Sequence, residues 1–435
     1  MRTADCGDAR AATGLRTALA AAARDYGTPV YVLDMAAVAR AAAEVETAFG
    51  GPWLRHYSLK ANDLPAVTSF LLGRGWAASV VSTGEWQHAR SGGAASDGLA
   101  FEGIGKTDWQ LDCAVRESAA GTPLRWLSAE SADEIAQLRL LADRYGLGGR
   151  GPAPVDLLVR LNPQVQPETR AELAVGAAAS KFGMSRKEIA GLAVRGQLDG
   201  GGLRLRGVHV HVGSDLRDVR AWAQAGVRAA ALLADLARVV PGGTLDTICF
   251  GGGFPVGPDA PAPAQFRGAL EAALAEAGLA LPARPAIEPG RFLVGPAGWL
   301  VSSVLHVRQD RPAAQQVVLD AGMTELIRPA LYGSHHRVHA IATRSPRGAA
   351  AFPTLLEGPL CESTDSLGTH QLPPLRRGDL VAIQDAGAYA ASFTSRYNGR
   401  PQPAEVLLWP GGSLQRCDRP PLELRREASP DEILC

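Results

Sequence analysis

Lysine is the residue this chain nearly does without. Of its 44 basic residues only Lys60, Lys106, Lys181 and Lys187 are lysine. Arginine replaces lysine on a surface at little cost, but not where an amine must lose its proton and attack a carbonyl. Each surviving lysine is therefore a candidate for chemistry. Net charge is also missing: 44 basic residues balance 44 acidic ones, which argues against nucleic acid or an anionic membrane as the main partner. Six cysteines (Cys6, Cys113, Cys249, Cys361, Cys417 and Cys435) contain no CxxC pair. That excludes a disulfide scaffold and a zinc ribbon. No run of about 20 apolar residues exists to cross a membrane, and the opening MRTADCGDARAATG has no apolar signal core. A cytoplasmic protein is expected.

At 435 residues, with 46% apolar and 20% charged, the chain has ample material for two globular domains. After an amphipathic stretch at 15–24 and a short strand at 29–33, strand-like and helix-like segments alternate. The expected strands are 53–60, 77–81, 98–101, 123–127, 155–161, 205–211, 245–250 and 284–289. Eight β-α repeats in about 240 residues is the arithmetic of a TIM-type (β/α)8 barrel, with an open doubly wound sheet as the rival. Beyond about residue 290 long helical patterns stop. Short runs at 299–307, 315–320, 336–342, 379–385 and 404–408, punctuated by Pro and Gly, predict a β-sandwich or β-barrel domain. The expected division is a segment 1–34, a barrel 35–290, a β domain 291–410 and a loosely attached polar tail 411–435.

Barrel active sites sit at strand C-termini, and several reactive residues fall there. Lys60 closes the first strand in HYSLKAN. A surface lysine is the plain alternative, but lysine scarcity and an apolar strand favour a Schiff-base amine. His209 and His211 share a strand face in GVHVHVGSD. They suit either a zinc pair, for which no convincing further ligand appears at later strand ends, or a ring packed flat on a planar cofactor. Ser214 follows as a phosphate donor. Gly251, Gly252 and Gly253 allow backbone N–H groups to approach an anion, although Val256 breaks the dinucleotide fingerprint and a tight turn would explain them equally. Glu288 and Arg291 lie in EPGR. An amine, an imidazole, a phosphate cradle and an acid at neighbouring strand ends suit pyridoxal 5'-phosphate. No metal is expected.

In the β domain, RPALYG offers Arg328 and Tyr332, CESTD offers Cys361, Glu362 and Asp365, and DAGAYAASFTSRYN offers Tyr389 and Tyr397. Cys361 reads as a buried small hydrophobe or, beside Glu362 and Asp365, as a proton donor. The HHRVH run at 335–339 has metal-pair spacing but is expected to be a solvated strand start.

Together, YSLKAN, VVSTGE, SKFGMS, HVHVGS, GGGF, EPGR, RPALYG, CESTD, DAGAY and SRYN resemble the fold-type III pyridoxal phosphate-dependent decarboxylases, most closely their diaminopimelate decarboxylase group. The match runs from 26–34 to 403–408. The resemblance implies a coenzyme-binding barrel of alanine racemase type, with the N-terminal segment packing on the β domain. It also implies a homodimer with shared active sites, the CES loop entering the partner's site. By that resemblance Lys60 is the Schiff-base lysine and His211 stacks on the coenzyme. Ser214, Gly252, Gly253, Gly290 and Arg291 surround its phosphate, Glu288 meets the pyridine nitrogen, and Tyr389 lies near the coenzyme. Arg291, Arg328, Tyr332 and Tyr389 would hold substrate, Glu362 its distal amine, and Cys361 would return the proton.

The implied reaction is decarboxylation of meso-diaminopimelate to L-lysine, a step of lysine biosynthesis. The alternative is the same chemistry on another amino acid, including a conjugated or carrier-bound one. Three departures bear on that choice: Ser79 for an Asp, Thr83 for a Gly, and FEGIGKT (101–107) for an asparagine-bearing loop. They are expected to leave the coenzyme core untouched. A racemase lacks a use for CESTD, and a non-catalytic paralogue has no need of Lys60, Glu288 and Cys361 together. A metal-dependent hydrolase ranks last.

Overall fold

The computed structural model describes residues 4–148, 151–170, 173–177, 180–240, 244–311, 314–346 and 349–422. Cys435 and the end of the polar tail lie outside them. Two compact units result: one holds residues up to Ala42 and Arg291–Asp418, the other Ala43–Gly290 and residues from Arg419 onward. An opening helix, Ala4–Tyr26, leads to strand β1 (Val30–Asp34).

The second unit is a closed parallel barrel of β2 (Leu54–Ser58), β3 (Ala77–Val80), β4 (Leu99–Phe101), β5 (Trp126–Ala129), β6 (Val155–Leu161), β7 (Leu203–Val210), β8 (Thr247–Cys249) and β9 (Arg284–Ile287). Each expected strand is there, and the open-sheet rival is excluded because β9 pairs back on β2 through Leu54–Ala286 and Arg55–Ile287. Strands covered on both faces need near-continuous apolar runs. β3 and β5 are buried at every position, and β6 at all but Asp156. Hydroxyl caps then start helices just past the strands. Ser82, Thr107, Ser131 and Ser185 accept from the backbone N–H of Glu85, Gln110, Glu134 and Glu188, three residues on. This S/T-x-x-E/Q spacing repeatedly turns the chain at the barrel mouth.

Outside the strands, Trp222 on the helix Arg220–Val239 packs 5.7 Å from Phe250, 5.9 Å from Phe254 and 5.8 Å from Phe266, ring centre to ring centre. Trp222 is almost wholly buried. Trp222→Ala is expected to cost about 3–5 kcal/mol, the range for emptying a buried aromatic site. A denaturant titration against the parent protein checks this.

The first unit is built on a nine-stranded mixed sheet. Its remaining strands are β10 (Gly298–Arg311), β11 (Ala314–Leu319), β12 (Val338–Ala342), β13 (Phe352–Glu357), β14 (Ser366–Leu372), β15 (Leu380–Gln384), β16 (Ala404–Leu408) and β17 (Leu414–Cys417). β1 is central, antiparallel to β10 and parallel to β16. Alternation splits its residues between two cores. Val30 and Val32 pack with Leu19 and Ala22 of the opening helix, while Tyr31 joins Leu300, Val317 and Ile383. The opening helix is longer than its apolar pattern because alanine sustains it.

Two expectations change. The residues after 410 are held more tightly than a loose tail, because β17 pairs with β16. In the barrel unit, the Arg419 guanidinium sits 3.0 Å from Asp63, whose other oxygen meets His88 at 2.7 Å. The 335–339 run is not simply solvated, because His336 is buried.

Candidate active site

In the barrel unit, Lys60 follows β2 in a single turn whose flanking Leu59 and Ala61 are buried while Lys60 is exposed. The turn is fastened to the end of β9, where Ser58 donates its N–H to the Pro289 carbonyl at 3.2 Å. Gly290 permits that approach: a Cβ there would lie 2.8 Å from Ala61 Cβ and 3.0 Å from the Ser58 carbonyl. Gly252 is required in the same way, since its Cβ would stand 2.3 Å from the Glu288 carbonyl. The Gly252 N–H instead donates to Nδ1 of His211 at 3.2 Å, so the remaining proton of that imidazole is on Nε2. Burial, Lys60 and Arg160 keep His211 neutral, well below the usual imidazole range. Ser214 lies two residues past Val212 and its carbonyl accepts from the Thr169 hydroxyl at 2.7 Å.

His209 takes different partners from His211. Its Nδ1 meets the Ser128 hydroxyl at 2.8 Å, and its Nε2 lies 3.2 Å from Glu102 and 3.6 Å from Glu288. Burial, with the charges of Arg160, Lys60 and Lys106 nearby, holds this ring neutral as well. Glu102, His209, Cys249 and Glu288 are all buried, with one ligand atom of each within 4.8 Å of the others. Later strand ends therefore do supply groups that the sequence reading of the HxH pair did not find. Burial and the charge of Glu288 push the Glu102 carboxyl well above its usual range. Burial, Glu288 and Glu102 likewise keep the Cys249 thiol protonated. Glu288 Oε1 is buried and meets no hydrogen-bond donor among the described residues.

The FEGIGKT loop was expected to lie clear of this core and does not. Glu102 touches the group directly. Lys106 is buried, donating to the carbonyls of Gly103 at 2.5 Å and Ser128 at 2.8 Å and pairing with Glu134 at 2.7 Å. A scarce lysine thus proves structural. Ser79 is buried in β3, and Thr83 opens the helix Thr83–Ser91.

The β unit carries a second group. Buried Arg291 places its guanidinium 4.8 Å from the Tyr389 ring centre. Arg328 opens the short helix Arg328–Tyr332, which holds half-buried Tyr332. Its Nη1 lies 3.5 Å from Nε2 of His336, whose Nδ1 is 2.9 Å from the Gln384 carbonyl. A neutral His336 satisfies both contacts, donating to Gln384 and accepting from Arg328. Burial, with Arg328, His335 and Arg291 nearby, pulls its pKa down to about 4. The sequence reading placed His336 in a solvated strand start, though its place three residues beyond RPALYG was a usable signal.

This depression carries a pH signature. The unfolded imidazole takes its proton near 6.5 and the folded one near 4. The unfolded chain binds more protons in between, so His336 stabilises the fold above pH 6.5, and that contribution is lost as pH falls from 6.5 to about 4. His336→Gln flattens this part of a stability-versus-pH curve.

Cys361 and Glu362 are exposed, which removes the buried-hydrophobe reading of the cysteine. Tyr397 donates to Glu362 at 2.5 Å. Asp365 has a structural task at the base of this loop. It is buried, accepting from the backbone N–H of Met323 at 2.6 Å and Leu360 at 2.8 Å, and so anchors the base of the loop.

An amine, two neutral imidazoles, a glycine-lined loop and a buried carboxylate thus share one barrel mouth. The family described as "Pyridoxal-dependent decarboxylase, pyridoxal binding domain" matches residues 35–295. The chain belongs to this family and is a pyridoxal phosphate-dependent carboxy-lyase. Among its relatives are the diaminopimelate decarboxylases of Archaeoglobus fulgidus, 34% identical over 88% of each chain, and Deinococcus radiodurans, 32% identical over 96% of this chain and 98% of that one. The solved diaminopimelate decarboxylase of Helicobacter pylori complexed with L-lysine superposes with a TM-score of 0.80 at 28% identity, covering 91% of this chain and 96% of that one. Among the described residues no helix is long and apolar enough to cross a membrane.

Proposed function

We propose that the chain converts meso-diaminopimelate to L-lysine and carbon dioxide with bound pyridoxal 5'-phosphate. One observation carries the coenzyme reading: the buried Glu288 Oε1, an acceptor that no donor among the described residues meets, suited to a ring N–H. Likeness to diaminopimelate decarboxylases along nearly the whole chain supports the substrate. When bound, the coenzyme supplies an electron sink for the pair left behind by carbon dioxide.

The chain's own residues do the rest. Lys60 would provide the amine that holds the coenzyme. The neutral ring of His211 would line the same site. Ser214, Gly252, Gly253, Gly290 and Arg291 receive the coenzyme phosphate, and Tyr389 lies alongside. Anionic Glu288 keeps the ring nitrogen protonated. Arg291, Arg328 and Tyr332 grip the carboxylate that must stay, and Glu362 takes the distal ammonium. Substrate selection is thereby a matter of holding both ends of a doubly zwitterionic molecule. Cys361 delivers a proton to Cα. The working form is a homodimer in which the exposed Cys361–Glu362 loop serves the partner subunit.

His336 enters as the support for Arg328. His336→Ala is expected to raise KM roughly fivefold with little change in kcat, the value of one hydrogen bond of about 1 kcal/mol. Initial-rate kinetics check it.

Purified, coenzyme-loaded protein incubated with meso-diaminopimelate should release lysine and carbon dioxide in equal amounts. Loaded protein that yields neither overturns the substrate assignment, and a panel of other amino acids then identifies the true one.

A further inference from the structure

The reading above uses Glu288 but leaves Glu102 without a task. Two carboxylates, 4% and 8% exposed, converge on one imidazole nitrogen. That imidazole cannot neutralise them, because it is itself neutral and its other nitrogen is engaged by Ser128. Of the cations nearest the group, Arg160 is committed to Glu130 and Lys106 to Glu134, and Lys60 is the amine proposed to hold the coenzyme. His211 is neutral, Cys249 keeps its proton, and Trp126 contributes only an N–H, 3.3 Å from Glu102 Oε1. Two buried carboxylates this close, with no counter-ion of their own, do not both ionise.

We infer that Glu102 and Glu288 hold one proton between them, carried by Glu102, which makes Glu102 a positioning residue that donates to Glu288 and leaves a single negative charge for the coenzyme's ring nitrogen. The role toward the ring rests on the coenzyme reading, whereas the shared proton does not. The assignment to Glu102 follows from the place left for the ring. Glu288 keeps an oxygen that no donor among the described residues meets and that the ring N–H would take, whereas Glu102 gains no such cation and receives only the Trp126 N–H at Oε1, which leaves Oε2 to carry the proton. A hydrogen bond donated to a carboxylate favours its charged form. The proton that matters then stays on the ring and does not migrate to the carboxylate.

The test is infrared spectroscopy of the full-length, coenzyme-loaded protein with and without 13C-labelled glutamate. Spectra are taken at about pH 8.5, well above the ordinary carboxyl range. Glu85, whose buried carboxyl titrates at about 7, is then ionised and silent. A label-sensitive carboxylic acid band is expected, and Glu102→Gln should remove it. The ring-nitrogen shift of 15N-labelled coenzyme supplies the second readout. Glu102→Leu should move it toward the unprotonated value and lower turnover about tenfold, while Glu102→Gln, whose amide still donates, should restore both.

Absence of the band in the parent protein overturns the inference, and so does a band that survives Glu102→Gln. Leu and Gln variants with the same ring-nitrogen shift overturn the positioning role. A stoichiometric divalent metal in the purified protein also overturns it, because a metal among these four donors would displace the proton. If the Leu variant does not fold, the parent and Gln spectra still decide. A chain that takes up no coenzyme sinks the parent reading alone, since the same labelled spectra of the unloaded protein still test the shared proton.

Discussion

Lys60→Ala will reduce turnover by at least about 10³-fold while leaving a folded chain. Folding survives because the turn is held by buried Leu59 and Ala61 and by the Ser58–Pro289 hydrogen bond, none of which involves the lysine side chain. Chemistry does not survive, because no other amine substitutes. Lys106 is fixed by two carbonyls and Glu134. Borohydride reduction of the parent protein followed by peptide mapping should mark position 60 and leave Lys106 unmodified. A mark on Lys106, or near-parental turnover in Lys60→Ala, would remove the basis of the proposed function.

Glu288→Ala ranks second, with an expected fall in kcat of about 10²–10³-fold, the usual loss when one preorganised electrostatic group is taken from an active site. The substitution deletes the carboxylate beside the proposed ring nitrogen and strands Glu102 and His209 without their neighbour. Glu288→Gln keeps the shape but not the charge, and should lose nearly as much. Steady-state rates at saturating substrate separate this from weaker binding. A Gln variant with parental kcat would show that the charge is not needed.

Much of the barrel was legible because parallel strands buried on both faces announce themselves as apolar runs; all eight exist, though β5 (Trp126–Ala129) begins three residues later than the run at 123–127 predicts. Lys60 stood out for a compositional reason, scarcity, and Glu288 for its place at the end of the last strand. Glu102 stayed hidden for a physical reason. A lone glutamate after a strand looks solvated until the barrel closes and brings β4 and β9 residues to the same imidazole. His336 was hidden likewise, its burial set by β15 rather than by its own neighbours. β13 and β14 were missed because FPTLLE and SLGTHQL carry Pro353 and Gly368 and are stabilised by pairing with each other. The anchoring task of Asp365 was not legible, because its backbone partner Met323 lies 42 residues away in sequence.

The placement of β1 has a consequence for biosynthesis. Its two neighbours, β10 and β16, are encoded after the barrel, so the first strand leaves the ribosome long before either exists. The barrel is able to close while nascent, whereas the sheet must wait with an unpaired middle strand until β16 has been made. Truncation within β16 would therefore spare the coenzyme-binding half and leave the other half a sticky, unzipped edge, the form of this chain most prone to aggregate.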